Sequence, residues 1–159
     1  MTRHFTFALL LLAGCYAEIE VEDQVLTPTH SWDSSIQAIR LLDGDRAAND
    51  FVDAVQVNIR PSLQADLAPM VAAIRHAERG GRGREYGVLN ARAEVSYRAQ
   101  AGWCAATVQK NYDRWMADGA NGDFVSFLGQ RYAPIGASND PNGLNRNWVP
   151  NVSHYYRKF

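Results

Sequence analysis

Apolar side chains recur along this chain at steps of three and four, the period of a helix that buries one face. The clearest run is Tyr97, Ala101, Cys104, Val108, Tyr112 and Trp115, spaced 4, 3, 4, 4 and 3. Trp32, Ile36, Ile39 and the Leu41–Leu42 pair predict an earlier helix over 31–42, and Phe51, Val52, Val55 and Ile59 another over 45–60. Leu67, Met70, Val71, Ile74 and Ala77 form one stripe and predict a helix from Leu67 to Arg79. Asp66 is its expected N-cap, with Pro69 in the first turn, where a missing N–H does little harm. Phe124, Leu128 and Tyr132 predict a helix capped by Asp123. Leu144, Trp148, Val152 and Tyr155 predict a last one, started or kinked at Pro150.

The breaks agree with these spans. Asp43-Gly44-Asp45, Arg60-Pro61-Ser62, Gly80-Gly81, Asp118–Gly122 and Pro134–Gly143 are turn chemistry. Arg82 to Val95 reads as a loop, with a short extended piece at Tyr86 to Leu89. The expectation is an all-α domain over residues 32–159.

Composition narrows the classes. The 159 residues are 47% hydrophobic and 21% charged, ordinary for one globular domain. A net charge of −1 speaks against a strongly basic nucleic-acid binder. That total hides an asymmetry: residues 16–59 carry a net of −7 and residues 60–159 a net of +5. This is either uneven surface decoration or a basic body suited to an anionic polymer. Two cysteines exclude a disulfide framework and a four-thiolate zinc site. His30, His76 and His154 lack metal-ligand spacing, so neither metal nor cofactor is expected. Gly80-Gly81-Arg82-Gly83 follows a helix and lacks the Gly-Lys-Ser/Thr of a phosphate loop. Trp103, Trp148, Tyr155 and Tyr156 are expected in the core or at its rim, and Cys104 as a small buried hydrophobe.

The first residues have export chemistry. Arg3 lies in a short n-region, Phe5 to Leu12 are apolar but too short to span a bilayer, and Leu12-Ala13-Gly14-Cys15 follows. That ending resembles the lipobox of bacterial lipoproteins. The resemblance implies a signal peptide over 1–15, acylation of Cys15 (palmitate-type chains), and attachment to the periplasmic face of a bacterial membrane, inner or outer. A plain export signal cut near Ala17 is the alternative. Residues 16–31, acidic and without apolar periodicity, read as a solvated tether.

Glu78 asks for a function. One step of four beyond Ile74 carries the stripe onto it, so its carboxyl points toward the core side. Apolar surroundings disfavour the charged form, and a neutral carboxylic acid is what protonation of a glycosidic oxygen requires. The alternative is a helix-end glutamate turned to solvent or paired with Arg75 or Arg82.

The segment Ala72-Ala73-Ile74-Arg75-His76-Ala77-Glu78-Arg79-Gly80-Gly81 resembles the region around the catalytic glutamate of lytic transglycosylases and other lysozyme-like murein hydrolases. Gly83-Arg84-Glu85-Tyr86-Gly87-Val88-Leu89 lies where that family has its glycine-containing loop. Phe127–Pro134 and Asn151–Tyr156 echo its closing helices, and Asn139-Asp140-Pro141-Asn142-Gly143-Leu144-Asn145 resembles small phage and bacterial proteins grouped with such enzymes. The likeness spans about residues 66–157. Arg79 stands where the family has serine, and Gly87-Val88-Leu89-Asn90 where it has Gly-Leu-Met-Gln.

The resemblance implies a lysozyme-like helical fold and cleavage of peptidoglycan glycan strands, in the transglycosylase manner, by the single carboxylate of Glu78. Tyr86, Gly87, Tyr132 and Asn139 would meet the substrate: the tyrosines as stacking faces or hydroxyl donors, Asn139 on an acetamido group. For the tyrosines, core packing is the competing explanation. Glu85 is a candidate second carboxylate or orienter of Glu78, or a solvated partner of Arg82 or Arg84. A different class stays open: a non-catalytic, lipid-anchored envelope or phage-derived protein that binds peptidoglycan or a protein partner.

Overall fold

The computed structural model describes residues 31–159. The expected signal segment, Cys15 and residues 16–30 of the tether lie outside the described residues. Six helices follow in order: α1 (Trp32–Asp43), α2 (Asp45–Asn58), α3 (Gln64–Glu78), α4 (Tyr97–Ala117), α5 (Phe124–Tyr132) and α6 (Trp148–Tyr156). Short 3-10 turns at Pro61–Leu63 and Leu144–Asn147 lead into α3 and α6. The described residues contain no strand.

Local chemistry explains most ends. Ser31 and Ser34 form a reciprocal capping box at the start of α1, and both also bond the Phe159 carbonyl. Gly44 turns the chain between α1 and α2 at φ 90°, a left-handed conformation that costs a residue without Cβ nothing. Ser96 caps α4 through the Ala99 N–H, and Asp123 caps α5 through the Ser126 N–H at 2.8 Å.

The start of α3 corrects the sequence expectation. Pro61 opens a 3-10 turn that runs straight into the helix at Gln64, so Asp66 lies inside the first turn and caps nothing. Pro69 falls six residues in. The intrahelical bond it removes is the one to Ala65, whose position is exposed.

α3 is the centre of the molecule. Leu67 through Arg75 are all buried, nine consecutive residues with no wet face. A helix buried all round needs partners on every side: α1, α2, α4 and α6 all pack against it. The single stripe read from the sequence is one face of a helix that has none in water. α2 lies along α4, and α5 bridges α4 and α6. Ile39, Phe51, Val55, Met70, Ile74, Val108, Leu128 and Val152 belong to one continuous apolar cluster, so α1 and α2 are part of the body.

The charge asymmetry along the chain is mixed in space. Asp43 pairs with Arg75, and Asp53 with Arg98. The Asp43–Arg75 pair is bidentate, 2.7 Å on each arm, and nearly sealed from water. Tyr97 donates to Asp43 at 2.9 Å, and the Tyr97 and Tyr86 hydroxyls meet at 3.0 Å. Arg75 also donates to the Glu85 carbonyl. This network ties the end of α1 to α3, to the loop after α3 and to α4.

Residues 79–96 form that loop. The extended piece expected at Tyr86 to Leu89 has no strand partner among the described residues. Buried Gln100 replaces the missing ladder: its Oε1 accepts from the Tyr86 and Val88 N–H groups, and its Nε2 donates to the Val88 carbonyl.

Candidate active site

Glu78 is the last residue of α3. The chain leaves the helix through Arg79 in the left-handed region at φ 47°, and the Arg79 guanidinium donates to the Tyr155 hydroxyl at 2.9 Å. The position one turn beyond Ile74 does turn the Glu78 side chain inward, where it is mostly buried. Trp148 Nε1 donates to Glu78 Oε1 at 2.8 Å. Burial lifts the carboxyl above the ordinary glutamate value, and the indole N–H offsets part of that rise. The negative end of the α3 dipole acts in the same direction as burial.

Gly87 completes the pocket around the carboxyl. At φ 71° it sits so close to Glu78 that a Cβ would overlap both carboxylate oxygens. Only glycine supplies this backbone conformation and this approach together.

Outward from Gly87 runs a shallow groove of about 250 Å³, lined by Gly87, Val88, Leu89, Thr107, Tyr132 and Asn139. Glu78 is not among the lining residues, although Gly87 lies against its carboxyl. Three of the four substrate-binding residues expected from the sequence therefore meet at one groove: Gly87, Tyr132 and Asn139. The Tyr132 ring stacks on Trp148, with centroids 5.2 Å apart. Its hydroxyl turns inward, donating to the Tyr86 carbonyl at 2.5 Å and lying beside the Cys104 thiol. The hydroxyl is therefore engaged inside the protein.

The fourth expected residue does not reach the groove. Tyr86 is fully buried, and its hydroxyl belongs to the Tyr97–Asp43 network. The resemblance implied a face or hydroxyl for the substrate; core packing, the competing explanation, is what the structure has, with the Gln100 clamp on its backbone turning Tyr86 inward. Glu85 is corrected as well. Glu85 lines a separate cavity together with α2 and the Gly80–Gly83 run, and that cavity shares no lining residue with the Glu78 groove. It is 8% exposed, so it is not a solvated partner of Arg82 or Arg84.

Cys104 is buried, and burial pushes its thiol up to about 12, as expected for an inert structural cysteine. His76 packs against the rings of Tyr155 and Phe159 and bonds the Ala38 carbonyl at 3.3 Å. Burial lowers its pKa.

Apolar periodicity does not reveal Trp148, Thr107 and Gln100 as site-forming residues. Trp148, expected in the core or at its rim, is buried. The available signal was its indole N–H, which needs an acceptor when buried. Nothing in the sequence brings Thr107 or Gln100 to the loop, because both sit on α4, far along the chain from Glu78.

No protein-family model, curated protein or solved structure matches this chain.

Proposed function

We propose that this protein cleaves the glycan strands of peptidoglycan, with Glu78 as general acid and then general base. The observation that carries the reading is the desolvated Glu78 carboxyl, anchored by Trp148 and walled by Gly87 beside a groove that presents an aromatic face and an exposed asparagine. A carboxyl that keeps its proton above the usual range is suited to protonating a leaving glycosidic oxygen.

Two-carboxylate cleavage needs a partner roughly 5–10 Å across the scissile bond. Among the described residues no acidic residue lines the groove, and Glu85 belongs to the lining of another cavity. The single-carboxylate route fits this arrangement. Glu78 gives its proton to the departing oxygen, then takes one from the sugar's own C6 hydroxyl as that oxygen bonds C1. The product is a 1,6-anhydro sugar, and no water is consumed. The Tyr132 ring offers a stacking surface and Asn139 an amide for an acetamido group. In this reading the helical body is of lysozyme-like type, exported and held at the membrane by an acylated Cys15.

A second reading rests on one observation: Glu78 is not among the residues that line the groove. The same scaffold would then bind peptidoglycan without cutting it.

Purified sacculi separate the two. Cleavage predicts that the parent clears a sacculus suspension, that Glu78→Gln does not, and that mass spectrometry finds ends one water lighter than reducing ends. Co-sedimentation without clearing by the parent selects the binding reading.

A further inference from the structure

Trp103 differs from the other three tryptophans. Trp32, Trp115 and Trp148 each pack on a neighbouring ring, whereas Trp103 is 40% exposed and meets no other ring among the described residues. An indole left in water keeps most of its drive to cover its flat face. Trp103 lines a hollow of about 530 Å³ between α2 and α4, where Ala99, Gly102 and Ala106 add almost no side-chain bulk. That size is within the range that takes small organic molecules.

Asn58 of α2 supplies polar chemistry to the same hollow. Its amide lies against α4: a Cβ on Gly102 would stand 3.5 Å from Asn58 Nδ2. Nδ2 donates to the Ala54 carbonyl at 2.8 Å. Oδ1 has no partner among the described residues and is not sealed from water, so its acceptor capacity is open. Among the described residues no acid lines the hollow, and its one cation, Arg98, is paired with Asp53. A flat apolar face beside a neutral acceptor suits a pyranose ring, which shows C–H bonds on its face and hydroxyls at its edge.

The position of the hollow selects the sugar's source. Thr107 lines the Glu78 groove, and Trp103 stands one turn before it on α4, where the Thr107 hydroxyl donates to the Trp103 carbonyl at 2.7 Å. Residues four apart share a helix face, about 6 Å from one another along the axis. The hollow and the groove have no lining residue in common, yet they are neighbours on α4. A linear chain that leaves the groove along this helix meets Trp103 within one turn.

We propose that the hollow is a distal subsite for a β-linked amino-sugar strand, with one pyranose stacked on Trp103 and one of its hydroxyl or amide protons donated to Asn58 Oδ1. The identity of the polymer rests on the glycan reading of the Glu78 groove. The binding itself makes no use of Glu78 chemistry.

Titration of the isotope-labelled full chain, in the Glu78→Gln background so that no probe is consumed, tests it. The probes are the dimer, tetramer and hexamer of β-1,4-linked N-acetylglucosamine. Calorimetry gives the affinities, and NMR follows the indole N–H signals, that of Trp103 being assigned by its loss in Trp103→Tyr. The hexamer is expected to shift the Trp103 indole saturably and to bind at least about tenfold more tightly than the dimer. Trp103→Leu, which changes an exposed side chain, should bring the hexamer down to the affinity of the dimer. Trp103→Tyr keeps a flat ring and should keep most of the gain. The proposal is overturned if no oligomer shifts the Trp103 indole by about 10 mM, if hexamer and dimer bind alike, or if Trp103→Leu leaves the hexamer affinity unchanged. A protein dimer that Trp103→Leu dissociates in sedimentation also overturns it, by placing a second copy on this face. Sacculi left uncleared by the parent while the hexamer still binds at Trp103 refute cleavage alone. Cleared sacculi with no Trp103 shift refute the subsite alone.

Discussion

Replacing Gly87 by alanine probes the Glu78 pocket directly, without assuming any activity. Two separate costs arise. A residue with a Cβ at φ 71° pays about 1–2 kcal/mol for the left-handed backbone. The new methyl also overlaps the Glu78 carboxyl, and forcing an extra carbon into a packed site costs roughly 1–3 kcal/mol. The first cost belongs to the backbone and persists in any background. The second needs the carboxyl to be present. In a Glu78→Ala chain the methyl enters vacated space, and only the backbone cost should remain. Urea unfolding of the parent, both single variants and the double variant, followed by helical circular dichroism, gives the coupling. We expect about 1 kcal/mol or more, in the sense that Gly87→Ala is less damaging without Glu78. Additive costs would show that Gly87 is not shaped by Glu78, and the pocket described above would be wrong. If the protein cuts glycan, Gly87→Ala should also lower its rate on sacculi about a hundredfold, because the acid is pushed off its Trp148 bond.

Glu78→Gln should raise the melting temperature near about pH 7 and leave it unchanged near about pH 4. The folded carboxyl holds its proton more tightly than the unfolded one, so its contribution is present at low pH and lost as pH rises from 4.5 through the raised folded value. A stability difference independent of pH would contradict this. Asp43→Asn removes the charge opposite nearly sealed Arg75 and should cost about 3–5 kcal/mol by chemical denaturation; a cost under about 1 kcal/mol would show that the network is solvated. Cys104, its thiol raised to about 12, should resist a disulfide-exchange reagent at about pH 8 until urea opens the fold. Rapid labelling of the native protein would place it nearer the surface.

Helix identity and order were legible because they depend on near neighbours. Apolar steps of three and four, a serine or aspartate at a cap, and glycine or proline at a break act within a few residues, and the local sequence contains all of them. The inward turn of Glu78 belongs to the same class, being one helical turn from Ile74. Contacts between distant segments follow a different logic. Tyr86 and Tyr132 look alike in sequence, yet Gln100 of α4 draws one into the core while the other lines the groove. Asp43 reads as a turn residue until Arg75 and Tyr97 close on it. Trp148 reads as apolar bulk until Glu78 receives its N–H. Periodicity says which side of a helix is buried, but it does not say what that side will meet. That partner is chosen when α1, α2, α4 and α6 pack around α3, and each buried polar group must then find a complement from elsewhere in the chain.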